Sequence, residues 1–273
     1  QARGFLLGAT AGRTTLNGEG LQHQDGHSHV QANLIPNCVT YDPTYGYEVA
    51  VIVQDGLRRM YGENENVFYY LTLMNENYQH PAMPEDDDIA EQIIKGIYKL
   101  ERVEGKKAKH NVQLMGSGTI LNEVRKAAQI LSDDYDVSSD VYSVTSFNEL
   151  AREGQGIARW NMLNPEAEQK TPYISQVITK DAGPAISATD YVKNYSDQVR
   201  AFIDTEYRCL GTDGFGRSDS RENLRTHFEV NAAYIVVASL YELAQRGDVE
   251  KKVVADAIKR FEINAEKINP LYA

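Results

Sequence analysis

Strand-like and helix-like runs alternate along the second half of this chain with only short breaks between them, and that rhythm constrains the fold more than any single motif. NVQLMGSG (Asn111 to Gly118) is a strand ending in glycine. LNEVRKAAQILSDDY (Leu121 to Tyr135) is an amphipathic helix, and SDVYSVTSF (Ser139 to Phe147) is a second strand. A helix over Glu149 to Trp160, a strand at Ala185 to Thr189, a helix over Tyr191 to Ile203 and a strand at Tyr207 to Gly211 continue the pattern. Two closing helices, Arg221 to Arg246 with a break and Glu250 to Phe261, end it. Strands joined through helices return in the same direction, so the expected fold is an open α/β sheet covered on both faces. The first part repeats the theme: apolar runs at Phe5 to Ala9 and Asn37 to Tyr41, a wide-faced helix over Thr44 to Gly62, and the strand VFYYLTLM (Val67 to Met74). Between the two parts, Asn75 to Glu91 carries two prolines and an acidic run, the composition of a linker. Asp86, Asp87 and Asp88 are adjacent there, but they lack the spaced oxygen ligands of a calcium loop and read as a solvated stretch.

Three of the six histidines, His23, His27 and His29, fall within the glycine-rich run LNGEGLQHQDGHSHVQ. Imidazole titrates near neutrality, so such a cluster on a loop suggests proton transfer, metal binding or anion contact, beside the plain alternative of solvated surface. Gly18, Gly20 and Gly26 argue against a helix through the run, and only a helix would bring His23 and His27 to a common ion. The two cysteines, Cys38 and Cys209, are isolated. No metal site is expected, and an acid/base or substrate-orienting role stands above one.

Composition narrows the partners. A net charge of -11 argues against nucleic acid, which needs clustered Lys and Arg. Two isolated cysteines give no disulfide framework, and neither an apolar span nor an export signal is present, so the expected location is cytoplasmic, without a membrane partner. GFLLGATAG (Gly4 to Gly12) reads as a buried strand with no earlier element to pair with, which suggests the carboxyl-terminal portion of a longer polypeptide.

Two further motifs read structurally. Gly116-Ser117-Gly118 begins like a dinucleotide fingerprint, but Leu121 occupies the helix-packing glycine position, leaving a tight turn with amides available to an anion as the minor option. LGTDGFGRSDSRENLR (Leu210 to Arg225) lies at a strand's carboxyl end, where Asp219 and Glu222 have the spacing of a helix-capping box. Ser218 and Ser220 lack a nucleophile elbow, and Arg217, Arg221 and Arg225 suit capping or subunit contacts.

Several long motifs carry a resemblance: ATAGRTTLNGEGLQHQDGHSHVQANLIPNCVTYDP (Ala9 to Pro43), DGLRRMYG (Asp55 to Gly62), NENY (Asn75 to Tyr78), SDVYSVTSFNELAREGQ (Ser139 to Gln155) and LGTDGFGRSDSRENLRTHFEV (Leu210 to Val230). Together they resemble the pyruvate dehydrogenase family, the decarboxylating components of homodimeric bacterial type within the transketolase-like thiamine-diphosphate superfamily. The resemblance implies an incomplete pyrimidine-facing α/β domain at residues 1–84, an acidic linker at 85–95, and a complete transketolase-type C-terminal α/β domain with a mostly parallel sheet at 96–273. It also implies thiamine diphosphate and magnesium as cofactors of the full-length enzyme. The signature that grips the diphosphate, Gly-Asp-Gly followed by a distant Asn, does not occur here; Gly211-Thr212-Asp213-Gly214 is not it. The family's activating glutamate has no counterpart either. By resemblance, then, the chain alone neither binds the cofactor nor turns over.

The implied reaction is decarboxylation of pyruvate followed by reductive acetylation of the lipoyl domain of dihydrolipoyl transacetylase, performed by a homodimer. The histidine run is similar to the Asp-Gly-Pro-Thr-His stretch of transketolase. Aligned on Asp25-Gly26, this similarity makes His29 the first substrate-facing candidate and His27 the second, with Asp25 and His23 on the substrate side. Two alternatives stay open. One is a C-terminal dimerisation or docking module whose histidines are dispensable; the other is a transketolase-like enzyme for another donor, such as a ketose phosphate.

Overall fold

The computed structural model describes residues 2–273 and shows two sheets. The first part of the chain gives β1 (Phe5–Ala9), α1 (Ser28–Asn33), β2 (Cys38–Tyr41), α2 (Gly46–Leu57) and β3 (Phe68–Leu73). Its three strands run parallel in the order β1-β3-β2, with Phe5 opposite Tyr69 and Cys38 opposite Phe68. The second part contributes α3 (Ile89–Lys95), β4 (Ile97–Val103), β5 (His110–Gly116), α4 (Leu121–Tyr135), β6 (Val137–Val144) and α5 (Phe147–Leu163). It closes with α6 (Tyr173–Val177), β7 (Ala185–Ala188), α7 (Lys193–Asp197), β8 (Tyr207–Leu210), α8 (Arg221–His227), α9 (Ala232–Arg246) and α10 (Lys251–Arg260). The second sheet has the order β4-β6-β5-β7-β8, parallel except for β4 at one edge. The architecture is thus the mostly parallel α/β arrangement that the alternation implies.

Burial explains the periodicities. The central strand β6 is buried along its whole length, whereas α4 buries only one stripe, Leu121, Val124, Ala128 and Leu131, against α9. Each of the two leucines and the valine contributes roughly 1.5–3 kcal/mol on leaving water. Ser146 caps α5 by accepting the Glu149 amide at 3.0 Å, an interaction worth about 1 kcal/mol. Several assignments differ from the sequence reading. The acidic 85–95 stretch is helical from Ile89, because Ile89 and Ile93 find a core to enter. The Tyr191 to Ile203 helix reduces to the short α7 and a separate turn at Arg200–Phe202. Strand β4 is an addition. Among the described residues, no helix is long and apolar enough to cross a membrane.

The strands' carboxyl ends position the site, because those of both sheets meet at one seam. The Asp42 amide, just after β2, donates to Thr145 O, just after β6, at 2.8 Å. Ser146 Oγ donates to Thr40 O at 2.6 Å, and Ser117 Oγ, just after β5, donates to Asp42 Oδ2 at 2.7 Å. Open α/β sheets place ligands at such ends.

Candidate active site

The segment that follows β1 enters this seam and is held there by the other sheet. Asp190, just after β7 and fully buried, accepts from Thr14 N (2.8 Å), Thr14 Oγ1 (2.6 Å), Thr15 N (3.0 Å) and Thr15 Oγ1 (2.7 Å). Burial still pushes this carboxyl above its ordinary range, although the four donors favour its ionised form. Gly12 admits the carboxylate: its φ is +88°, and a methyl group there would collide with Asp190. Arg13, 2% exposed, donates through Nη1 to Thr212 O at 2.8 Å and to Gly214 O. Gln24 completes the attachment, donating to Leu16 O (3.1 Å) and Arg217 O (2.7 Å) while accepting the Arg217 amide (2.8 Å).

The histidines divide by exposure. His23 has 57% of its side chain exposed, with Nδ1 3.4 Å from Glu19 Oε2. It adjoins a cleft of about 640 Å³ whose walls include Glu19, Leu21 and Gln22 on one side and Phe215, Arg217 and Ser218 on the other. His27 is exposed at the start of α1, with Nδ1 3.3 Å from Arg13 Nη2. Burial, then the Arg13 charge, lower its pKa. His29 is fully buried inside α1, its ring stacked on Tyr195 at 4.7 Å and edge-on to Tyr191 at 4.8 Å, with Tyr70 at 5.5 Å. Burial drives its pKa down to about 3, so the ring is neutral. The difference from an all-loop reading is local. A helix begins at Ser28, so residues two apart face opposite ways.

That helix start also accounts for Asp25. Its carboxylate accepts from His27 N and Ser28 N, both at 3.0 Å, and from Ser28 Oγ, which turns the chain into α1. Asn148 then holds the helix, donating to His29 O at 2.9 Å and to Thr40 Oγ1 at 2.6 Å.

Behind His29 lies a buried chain of polar groups. His29 Nε2 is 2.9 Å from Thr72 Oγ1, and the Thr72 hydroxyl donates to Asp42 Oδ1 at 2.7 Å. With Asp42 ionised the single Thr72 hydrogen is spent on it, so His29 is then the donor to Thr72 and its Nδ1 is bare; among the described residues Nδ1 has no partner. Among the described residues, the Tyr191 and Tyr195 hydroxyls beside it are also without partners. Burial raises the Asp42 carboxyl to about 7 against the pull of Thr72 and Ser117. Sequence reasoning passed over Arg13, Asp42 and Asp190 as seam residues, because what ties them together is contact between distant segments.

The other motifs resolve structurally. The Gly118 amide donates to Asp42 O at 3.2 Å and the Thr119 amide faces Met74 Sδ at 3.5 Å, so neither of these amides awaits an anion. The cap of α8 is Ser220, which accepts the Asn223 amide at 3.3 Å, rather than Asp219, whose carboxylate accepts from Ser220 N and Asn223 Nδ2. Arg225 pairs with Glu76 and lies 3.6 Å from Glu123, and Arg221 donates to Thr15 O at 2.8 Å, so both cross the seam.

Two sheets sharing a seam at their strand ends define a chain of the transketolase-type α/β class. Solved transketolases bear this out at the level of fold: that of Leishmania mexicana superposes with a TM-score of 0.61 at 18% identity, over 87% of this chain and 30% of its own. That of Campylobacter jejuni gives 0.60, again at 18% identity, over 87% of this chain and 31% of its own. Residues 1–81 match the family model for the pyruvate dehydrogenase E1 component middle domain, and residues 96–231 match the transketolase-like C-terminal domain. The pyruvate dehydrogenase E1 component of Escherichia coli K12 is 65% identical across the whole chain, and that of Haemophilus influenzae is 61% identical. The chain belongs to the pyruvate dehydrogenase E1 component family, and it spans about 30% of the length of these relatives.

Proposed function

We propose that this chain works within a full-length pyruvate dehydrogenase E1 component, which decarboxylates pyruvate and reductively acetylates the lipoyl group of the transacetylase as a cytoplasmic homodimer. In this assignment residues 1–84 complete the pyrimidine-facing domain, 85–95 connect, and 96–273 form the C-terminal domain. The observation that carries the reading is the 65% identity to the Escherichia coli protein over every part of the chain. Among the described residues, no three His, Cys, Asp or Glu side chains are grouped to hold a metal ion. Arg13, the cation nearest the histidine run, already gives donors to Thr212 O and Gly214 O. The chain's own donor set therefore does not fit a diphosphate and its magnesium, and both are assigned to the rest of the full-length enzyme. Thiamine diphosphate supplies the electron sink there.

What these residues contribute is orientation and proton handling. Adding protein covers a surface further and does not uncover it. Substrate thus reaches His29 only if the Tyr70, Tyr191 and Tyr195 cage opens, whereas His23 and His27 already face outward. We therefore assign contact with substrate to His27 and His23, and assign His29 to anchoring α1 beneath them. Removing a positioned acid/base group costs ~10²- to 10⁴-fold in rate. His27→Ala and His23→Ala in the full-length enzyme should each fall in that range in the overall complex assay with pyruvate. Wild-type turnover in both variants, or faster turnover of a ketose phosphate than of pyruvate, would end this reading.

A further inference from the structure

We infer that Arg13 is a positioning residue for His27, holding it as an imidazole with its hydrogen on Nε2, so that His27 donates a hydrogen bond to an anionic substrate oxygen and does not act as a base. The inference rests on the reading above, which places His27 against substrate.

A guanidinium has five donors and no acceptor. At the 3.3 Å contact between Arg13 Nη2 and His27 Nδ1, the imidazole nitrogen must therefore be the acceptor. An Nδ1 that accepts carries no hydrogen, so the hydrogen of the neutral ring sits on Nε2. The cation is not free to turn away. Its Nη1 donates to Thr212 O and Gly214 O, Phe228 lies 5.8 Å from Cζ, and Gly26 lies flat against the plane. A methyl group on Gly26 would sit 2.5 Å from Arg13 Cζ, so only glycine admits the guanidinium here.

Burial and the surrounding charges together set the ring's charge. Arg13 opposes a second positive charge on His27, while Asp25 and Asp213 favour one; burial and Arg13 outweigh them and the pKa falls. Asp25 is occupied by two amides and the Ser28 hydroxyl, and Asp213 accepts from Lys193 N at 2.9 Å and pairs with its ammonium at 3.6 Å. Neither carboxylate takes the His27 ring hydrogen. A ring that stays neutral at physiological pH with its hydrogen pointed outward suits a carboxylate or a developing oxyanion. A preorganised donor of this kind contributes ~10²- to 10³-fold in rate.

The test is a pair of replacements in the full-length enzyme. The amide nitrogen of glutamine falls near the place of imidazole Nε2 and can donate but not serve as a base. His27→Gln should keep kcat/KM for pyruvate within ~10-fold of wild type, while His27→Ala loses ~10²- to 10³-fold. Equal loss in both variants overturns the inference and leaves the substrate-side assignment standing; no loss in His27→Ala overturns both. Arg13→Met should move the ionisation on the acid limb of the kcat/KM profile upward, burial still holding it below the ordinary imidazole value, and Arg13→Met/His27→Gln should lack it. Gly26→Ala, which displaces the guanidinium without removing it, should show the same upward shift. Profiles for both Arg13→Met and Gly26→Ala that match wild type would also overturn the inference.

Discussion

Replacing Asp42 by asparagine should make the chain less stable in acid and more stable in base. The Asp42 carboxyl is fully buried, and its pKa rises from the ordinary 3.8 to about 7. Between those two values the folded state holds a proton that the unfolded chain releases, so stability falls as pH climbs from about 4 to about 7 and stays low above that. About three pH units at about 1.4 kcal/mol each place the ionisation cost near 4 kcal/mol at high pH. Asparagine does not ionise, and the Thr72 and Ser117 hydroxyls can turn to meet its amide, so its penalty is about 1–2 kcal/mol at every pH. Wild type should therefore lead by about 1–2 kcal/mol near pH 4, and Asp42→Asn should lead by about 2 kcal/mol near pH 8.5. Urea unfolding of both proteins across that range measures the difference, in which other titrating groups cancel. A difference that does not change with pH would refute the argument that desolvation dominates this carboxyl.

Gly12→Ala forces a methyl group into a left-handed conformation and against Asp190, and should cost about 2–4 kcal/mol in urea unfolding; a loss below about 0.5 kcal/mol would mean the clamp is loose. His29→Ala removes a ring packed among Tyr70, Tyr191 and Tyr195 and should cost about 3 kcal/mol, whereas His23→Ala, at an exposed position, should stay within about 0.5 kcal/mol. Equal losses from those two replacements would contradict the division by burial.

Much of the fold was legible because the local signals agree with the tertiary ones. Leu121–Tyr135 forms the helix its apolar spacing implies, and the break expected within Arg221 to Arg246 falls between α8 and α9. Phe5–Ala9 forms a strand, but at the sheet's edge, with Leu6 and Leu7 exposed where a buried strand was expected. Strand β4 escaped notice because its pairing with β6 shifts register between Lys99 and Glu101, which destroys the two-residue alternation a strand is read by. Helix α1 was hidden for another reason. It is only six residues long, begins two residues after Gly26, and takes its starting support from Asp25, two residues before His27, rather than from a side chain at the usual capping position. At the site, the histidine run announced itself, but which ring faces outward depends on that hidden helix. The partners of Arg13 lie about two hundred residues away, at Thr212 and Gly214, where no local pattern points back to it.

The grip of Asp190 on Thr14 and Thr15 ties the two halves of the chain into a single hereditary unit. A chimaera joining residues 1–95 to the second half of another protein would keep every histidine of the run yet leave Asp190 behind. Swapping parts among such enzymes therefore has to move the run and its remote anchor together.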